Sequence, residues 1–299
     1  MSLKFKVTMS IVALNAMALV ACGSSESLDN SDAAEDTIVI GSQDYYSNEI
    51  IAEIYAQALE THDIEVQRDF RIGQREVYMP EIENGSVDLF PEYSGPLLQY
   101  WESEPQARRS EDVYAALVDA TPDGLKVLNQ ADATDQDSYV VTREFAEANG
   151  LTTIADLAKV TGPLVLGANS EAENRPNGPK GLKEAYGIDA GFTPIEDSGG
   201  PLTVKAMKDG TVQLAIIYSA DPSIKQNDLV VLEDPEGLFL ASHVVPIASE
   251  ELSEEAQEVI NKVNKALTSA ALVSLNAKSI EQQAPASTIA TEWLEQQQL

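Results

Sequence analysis

Few residues in this chain are suited to running a reaction. Among 299 residues there are 2 histidines and 1 cysteine. His62 lies in the polar stretch ETHDIE, where a solvated turn accounts for it. No cysteine pair, histidine cluster or acidic loop has metal-ligand spacing, so no metal or cofactor is expected. The stretch GSQDYYS (41–47) lacks the glycines and the lysine of a phosphate loop. Carboxylates are so numerous that a stray pair says nothing about acid–base catalysis. The residue types point away from an enzyme.

Tyrosine placement is more informative. Aromatics make up only 6% of the chain, yet Tyr45, Tyr46, Phe90, Tyr93, Tyr139 and Tyr218 all fall at the starts or ends of expected strands. Rings gathered there suit a cation that has no N–H to donate, such as a quaternary ammonium. Such an ion is held by the negative faces of rings and by nearby carboxylates or carbonyls, at roughly 0.5–2 kcal/mol per ring, so three or four rings are needed for micromolar binding.

Two of these tyrosines form a matched pair. Aligned on Gly85 and Gly210, ENGSVDLFPEYSG and KDGTVQLAIIYSAD run N-G-S-V-D-L and D-G-T-V-Q-L, and each reaches a tyrosine, Tyr93 or Tyr218, eight residues after its glycine. The surrounding elements are similar too. Strands are expected at TIVI, IEVQRDF and SVDLF, with helices between them over 50–59 and 77–84. That β-α-β-α-β order predicts a parallel, doubly wound α/β lobe, with Phe90 and Tyr93 just past a strand end. The stretch from DSYVVTREF to DLVVLED repeats the outline. The tail predicts two amphipathic helices, one over 253–278 with Ser253 as N-cap and one over 286–299. Two α/β lobes with a cleft between them is the architecture of bilobal solute receptors, in which ligands sit beyond the carboxyl ends of strands.

Charge and the N-terminus bound the partners. The net charge of −30 comes from 49 acids against 19 bases. It opposes nucleic-acid binding and a basic membrane-surface patch. Lys4 and Lys6 precede an apolar run too short for a comfortable membrane span, so 1–21 reads as a secretory signal. The signal ends in Leu19-Val20-Ala21-Cys22-Gly23, which resembles the lipobox of bacterial lipoproteins; that implies lipidation of Cys22. Residues 22–36 then read as a flexible tether, 37–136 with 239–299 as lobe I, and 137–238 as lobe II.

IVIGSQDYYSNEII, NGSVDLFPEYSG, DSYVVTREF, SEAENRPNG and IIYSADPSI together resemble the extracellular binding proteins of osmoprotectant ABC importers, over about residues 37 to 296. The resemblance implies a bilobal type II periplasmic binding protein with a two-segment hinge. It implies capture of a quaternary ammonium osmolyte of the glycine betaine, choline or carnitine kind. It further implies a monomer anchored by lipid outside the cell membrane, delivering to an ABC permease and its ATPase. By position, Tyr93, Tyr139 and Tyr218 match three of four cage tyrosines. Asp137 matches an acid that orients the cation, and Gln43 a position facing the other end of the ligand. Glu171 and Arg175 match a pair whose arginine reaches a ligand carboxylate or cross-links the lobes. Ser242 stands where the fourth ring would be, leaving Phe239, Tyr46 or His243 as substitutes. Pro96 replaces a common threonine. Gln43 in place of lysine favours an alcohol such as choline over a betaine. The alternative is a receptor of the same fold for an amino acid or other polar solute.

Overall fold

In the computed structural model, residues 37–299 are described; Cys22, the signal segment and the tether lie outside them. The folded part contains two five-stranded sheets. The first is built from β1 (Ile38–Gln43), β2 (Val66–Gly73), β3 (Leu89–Tyr93), β4 (Leu125–Val127) and β10 (Val244–Ser249), in the order β2-β1-β3-β10-β4. The second is built from β5 (Asp137–Thr142), β6 (Val165–Ala168), β7 (Gly191–Pro194), β8 (Leu214–Tyr218) and β9 (Leu229–Val231), in the order β7-β6-β8-β5-β9. The two orders are equivalent, so β3 corresponds to β8 and β10 to β5.

Each sheet is buried on both faces, so successive strand residues feed opposite cores. Ile38, Ile40 and Leu89 pack on the helix Tyr46–Glu60 and the three C-terminal helices, while Phe90, Val245 and Ile247 pack on the opposite side with Tyr78 and Leu98. In the second sheet Tyr139 and Leu214 face one core, Val140 and Ala215 the other.

The sequence repeat has a mechanical meaning. Gly85 and Gly210 take left-handed φ of 79° and 72°, ending their helices. Three residues later, the Asp88 carboxylate accepts from Val39 N–H at 2.8 Å, and the Gln213 side-chain oxygen accepts from Val165 N–H at 3.1 Å. The unlike residues Asp and Gln thus do one job, pinning the start of the neighbouring strand.

Three expectations change. The sheets are mixed, not parallel throughout: β10 runs antiparallel to β3 and β4, and β5 to β8 and β9. Each is the first strand after the chain passes from one sheet to the other, so it enters from the opposite side. The strand expected at SVDLF instead runs Leu89–Tyr93, with Tyr93 as its last residue and Pro91 opposite Pro246. Ser94 N–H donates to His243 O, so the antiparallel alternation leaves the two prolines facing each other at a non-hydrogen-bonded pair, and neither N–H is missed between these two strands. The helix expected over 253–278 is two, Glu254–Ala266 and Ser269–Gln282; Thr268 Oγ1 caps the second by accepting from Ala271 N–H. Ser253 caps the first as expected. No helix among the described residues is long and apolar enough to cross a membrane.

Beyond the single aligned pair Ile40–Leu89, β1 and β3 part. Asn48, fully buried in the first turn of helix Tyr46–Glu60, fills the gap: its Oδ1 accepts from Gln43 N–H at 3.0 Å and its Nδ2 donates to Pro91 O at 2.7 Å. Asn48→Ala would orphan both backbone groups. It is expected to lower unfolding free energy by about 2–4 kcal/mol, readable as a lower urea midpoint at unchanged slope.

Candidate functional site

The site lies where strands part. In the order β2-β1-β3 the chain reverses winding direction at β1/β3, and in β7-β6-β8 it does so at β6/β8. Crevices beyond the carboxyl ends of strands at such points are where open α/β sheets bind ligands. Tyr93 ends β3 and Tyr218 ends β8, so each crevice carries a ring. Each also faces the first residue of the antiparallel strand, Tyr93 opposite Val244 and Tyr218 opposite Asp137.

The two crevices meet. The ring of Tyr45, from the turn after β1, lies 4.6 Å from that of Tyr218 and 4.9 Å from that of Tyr46. Tyr46 Oη donates to Asp221 Oδ2 at 3.0 Å. Tyr93 is buried, and its hydroxyl has no hydrogen-bond partner among the described residues. Tyr93 is held rigidly: its own N–H donates to Glu92 Oε2, and Glu92 also accepts from Arg75 and from Tyr78 Oη.

Three aspartates stand around the rings. Asp135 accepts from Ala220 N–H at 2.9 Å and from Tyr45 Oη at 3.3 Å. Burial, with Asp221 and Asp137 nearby, pushes its carboxyl up to about 7, although the Ala220 and Tyr45 bonds oppose this. Asp221 is raised by burial against its bonds from Ser223 and Tyr46. Asp137 is raised by burial too, but Arg175 and Arg75 offset part of it. Burial and these acids hold the Tyr45, Tyr46, Tyr93 and Tyr218 hydroxyls above their ordinary range, so the rings stay neutral. Among the described residues no group of His, Cys, Asp and Glu is arranged to hold a metal ion.

The residues singled out in the sequence fall into three places. Tyr93, Tyr218 and Asp137 belong to the meeting of the crevices. Gln43 is buried at the end of β1, tied through its backbone to Asn48. The Tyr139 ring packs edge-on against Phe239 at 4.9 Å, and its hydroxyl donates to Asn177 O at 2.8 Å. Asn177 Nδ2 in turn donates to Asp137 Oδ2 at 2.7 Å, so Tyr139 steadies the turn that orients Asp137. Ser242 is buried, its hydroxyl without a partner among the described residues, and the His243 ring contacts Ala131 O. Of the three candidate replacement rings, Tyr46 is the one packed on Tyr45. Tyr45 was among the aromatics at strand ends but was not carried into the site, and sequence reasoning passed over Asp135, Asp221 and the two arginine partners Glu92 and Glu76. The doubled tyrosine of QDYYS was the available signal for Tyr45; Asp135 had none.

At the mouth, a cavity of about 210 Å³ is lined by Arg75, Glu76, Pro96, Asp137, Arg175 and Asn177, among others. Arg175 does not pair with Glu171. Its fork closes on Glu76 of the helix Arg75–Glu83, with Nε–Oε1 at 3.0 Å and Nη2–Oε2 at 2.9 Å. Burial works against the Glu76 charge, yet Arg175 holds its carboxyl below the usual range. One Glu171 carboxylate oxygen is buried without a partner among the described residues. Gly178 lets the Arg175 loop close tightly, since a Cβ there would lie 1.8 Å from Ala172 O.

Two mixed sheets of equivalent order, their switch points facing each other, define a bilobal periplasmic-binding-protein fold. A solved glycine betaine/carnitine/choline ABC transporter structure shares it, with a TM-score of 0.69 at 23% identity, covering 87% of this chain and 98% of that one. The chain belongs to the family described as the substrate binding domain of ABC-type glycine betaine transport system, which matches residues 36–296. It is 25% identical to the glycine betaine-binding protein YehZ of Escherichia coli, over 88% of this chain and 91% of that one. It is also 25% identical to the carnitine transport binding protein OpuCC of Listeria monocytogenes, over 99% and 97% of the two chains. The protein is therefore a transporter's extracytoplasmic binding component, and its family is one of transport proteins, not of enzymes.

The two arginine pairs differ in burial, with side chains 9% and 0% exposed for Arg75–Glu92 against 21% and 45% for Arg175–Glu76. Arg75→Ala should strip a buried carboxylate of its partner and cost about 3–5 kcal/mol. Arg175→Ala should cost about 1 kcal/mol or less. Chemical denaturation of both variants checks the contrast.

Proposed function

We propose that the protein captures a quaternary ammonium compound of the choline or glycine betaine type between its lobes and hands the complex to an ABC permease. The supporting observation is the meeting of Tyr45, Tyr93 and Tyr218 from both sheets among Asp135, Asp137 and Asp221. Rings and carboxylates together are what an ion without N–H groups requires. The proposed contacts are Tyr45, Tyr93 and Tyr218 as ring walls, with Tyr46 as the added ring where Ser242 supplies none. Asp137 orients the cation, steadied by Tyr139, and Gln43 faces the far end of the ligand. Glu171 and Arg175 form the rim.

The rim bears on the choice of ligand. The Arg175 fork is already engaged bidentately by Glu76, so a ligand carboxylate must displace it. That favours an alcohol such as choline over a betaine or an amino acid.

The proposed mechanism is a population shift. Residues 37–136 with 239–299 move against 137–238 about two crossing segments, and contacts from both lobes favour the closed form when ligand is present. Cys22 is proposed as the lipid anchor, holding a monomer at the outer face of the membrane.

Calorimetry with choline, glycine betaine and carnitine tests this reading. Choline is expected to bind most tightly, and silence from all three up to millimolar concentration would sink the reading. Tyr218→Ala should weaken choline binding by roughly tenfold or more, since it removes a ring worth ~0.5–2 kcal/mol and opens the cage to water. An unchanged affinity removes Tyr218 from the cage.

A further inference from the structure

Asp135 differs from the other buried acids of the cleft. It lies in the segment that carries the chain from β4 to β5, with only 3% of its surface exposed. Among the described residues it makes no salt bridge, whereas Glu92 has Arg75. Asp137 has the Asn177 amide and the field of two arginines. Asp221 accepts from Ser223 N–H at 2.7 Å and from Tyr46 Oη at 3.0 Å, both ordinary lengths. Asp135 Oδ1 has one good donor, Ala220 N–H, but Oδ2 has only the Tyr45 hydroxyl at 3.3 Å, longer than an ordinary O–H···O bond. Its two partners come from opposite sides of the cleft. Tyr45 follows β1, and Ala220 follows β8.

The neighbours of this carboxylate are the proposed cage. Its charge is felt at Tyr45, Tyr46, Tyr93 and Tyr218. Among the described residues, the charged groups that act on it most are Asp221 and Asp137, both of its own sign. A buried carboxylate with no counter-charge is costly to ionise and takes up a proton instead. A permanent cation placed among the same rings reverses that balance.

We propose that Asp135 is the counter-charge of the cage and that capture is an exchange: a quaternary ammonium ion enters, and the Asp135 proton leaves to solvent. This rests on the trimethylammonium reading of the site. The step balances, since the carboxyl O–H breaks, the proton goes to water, and the carboxylate left behind faces the cation with the net charge of the cluster unchanged. The ligand itself cannot titrate, so any pH dependence belongs to the protein.

The sign follows from the raised carboxyl, about 7 against an ordinary 3.8. Above that value the site is already ionised and affinity is flat. Below it, protons compete with the cation, and affinity falls by up to tenfold per pH unit. For folding the same shift works in the opposite sense. The folded protein holds this proton more tightly than the unfolded chain, so the stability it contributes is full below about 3.8 and is lost as pH rises through about 7.

The experiment is calorimetric titration of the full folded protein with choline chloride and with tetramethylammonium chloride at about pH 8 and about pH 5.5, in pairs of buffers of unlike ionisation enthalpy. The expected result is an affinity weaker by roughly tenfold or more at the lower pH, and a heat that changes with buffer by close to one proton released per ligand at about pH 5.5 but hardly at all at about pH 8. Asp135→Asn should abolish both the pH dependence and the buffer dependence, and should raise the melting temperature of the ligand-free protein at the higher pH. Asp221→Asn should keep the pH dependence. Binding that is independent of pH and buffer overturns the inference while leaving the cage reading intact. So does a pH dependence that survives Asp135→Asn or vanishes in Asp221→Asn. No binding of either probe at any pH overturns the cage reading and this inference with it. If Asp135→Asn does not fold, the buffer dependence of the unaltered protein still decides.

Discussion

The structure depends on a gap. β1 and β3 are neighbours for one aligned pair and then separate, because the strands on either side wind in opposite directions. A parting between strands leaves backbone groups without a ladder, and a buried one must be satisfied by side chains. Asn48 does this by accepting from one strand and donating to the other. The gap can then stay open at low energetic cost, and everything that follows uses it. Tyr45 and Tyr46 rise from the turn after β1, and Tyr93 closes β3 beside them. The second sheet repeats the arrangement at β6 and β8, with Asp88 and Gln213 fixing the strand starts alike. Two equivalent gaps placed face to face make a cleft whose walls are rigid.

The cleft is polarised by the way its charges are paired. Near the mouth, Arg75 and Arg175 are both closed on glutamates, so their positive charge is spent within the protein. Deeper in, three aspartates stand among hydroxyls and amides, with arginines felt by Asp137. The negative character of the inner site therefore comes from unpaired carboxylates, not from the chain's overall charge. The surface excess of acids would be screened over roughly 8–10 Å at ordinary ionic strength. Buried acids escape that screening, so the charge of the inner site is set locally.

Much of the architecture was legible because it is written in local patterns. Gly85 and Gly210 needed left-handed turns, and only their shared position after a helix and before a strand was required to align Tyr93 with Tyr218. The cap at Ser253 was legible for the same reason. What could not be read depends on contacts between distant segments. The antiparallel sense of β5 and β10 is set by the side from which each enters its sheet. The end of the helix at Ala266 is imposed by Thr268, which competes for the backbone as a cap in a stretch whose apolar rhythm continues. Tyr139 donates its hydroxyl to the Asn177 carbonyl, a partner 38 residues away that no local pattern shows. Asp135 looked like one acid among many. Its burial, and with it its chemistry, arises only when Tyr45 and Ala220 close over it from either side.

Asp135 is in a segment that crosses between the sheets, and its hydrogen bonds go to residues beyond β1 and beyond β8. Gln136, next in the chain, donates its N–H to Ser219 Oγ and accepts from Ser219 N–H through its carbonyl, tying the same crossing to the turn after β8. A connection that only joined the lobes would need length and flexibility. This one is tied to both crevices and carries a buried carboxyl between them. In the proposed exchange, a proton gained or lost at Asp135 would act on Tyr45 and on Ala220 through these two hydrogen bonds, so no relay of packed side chains is needed between the two sides of the cleft.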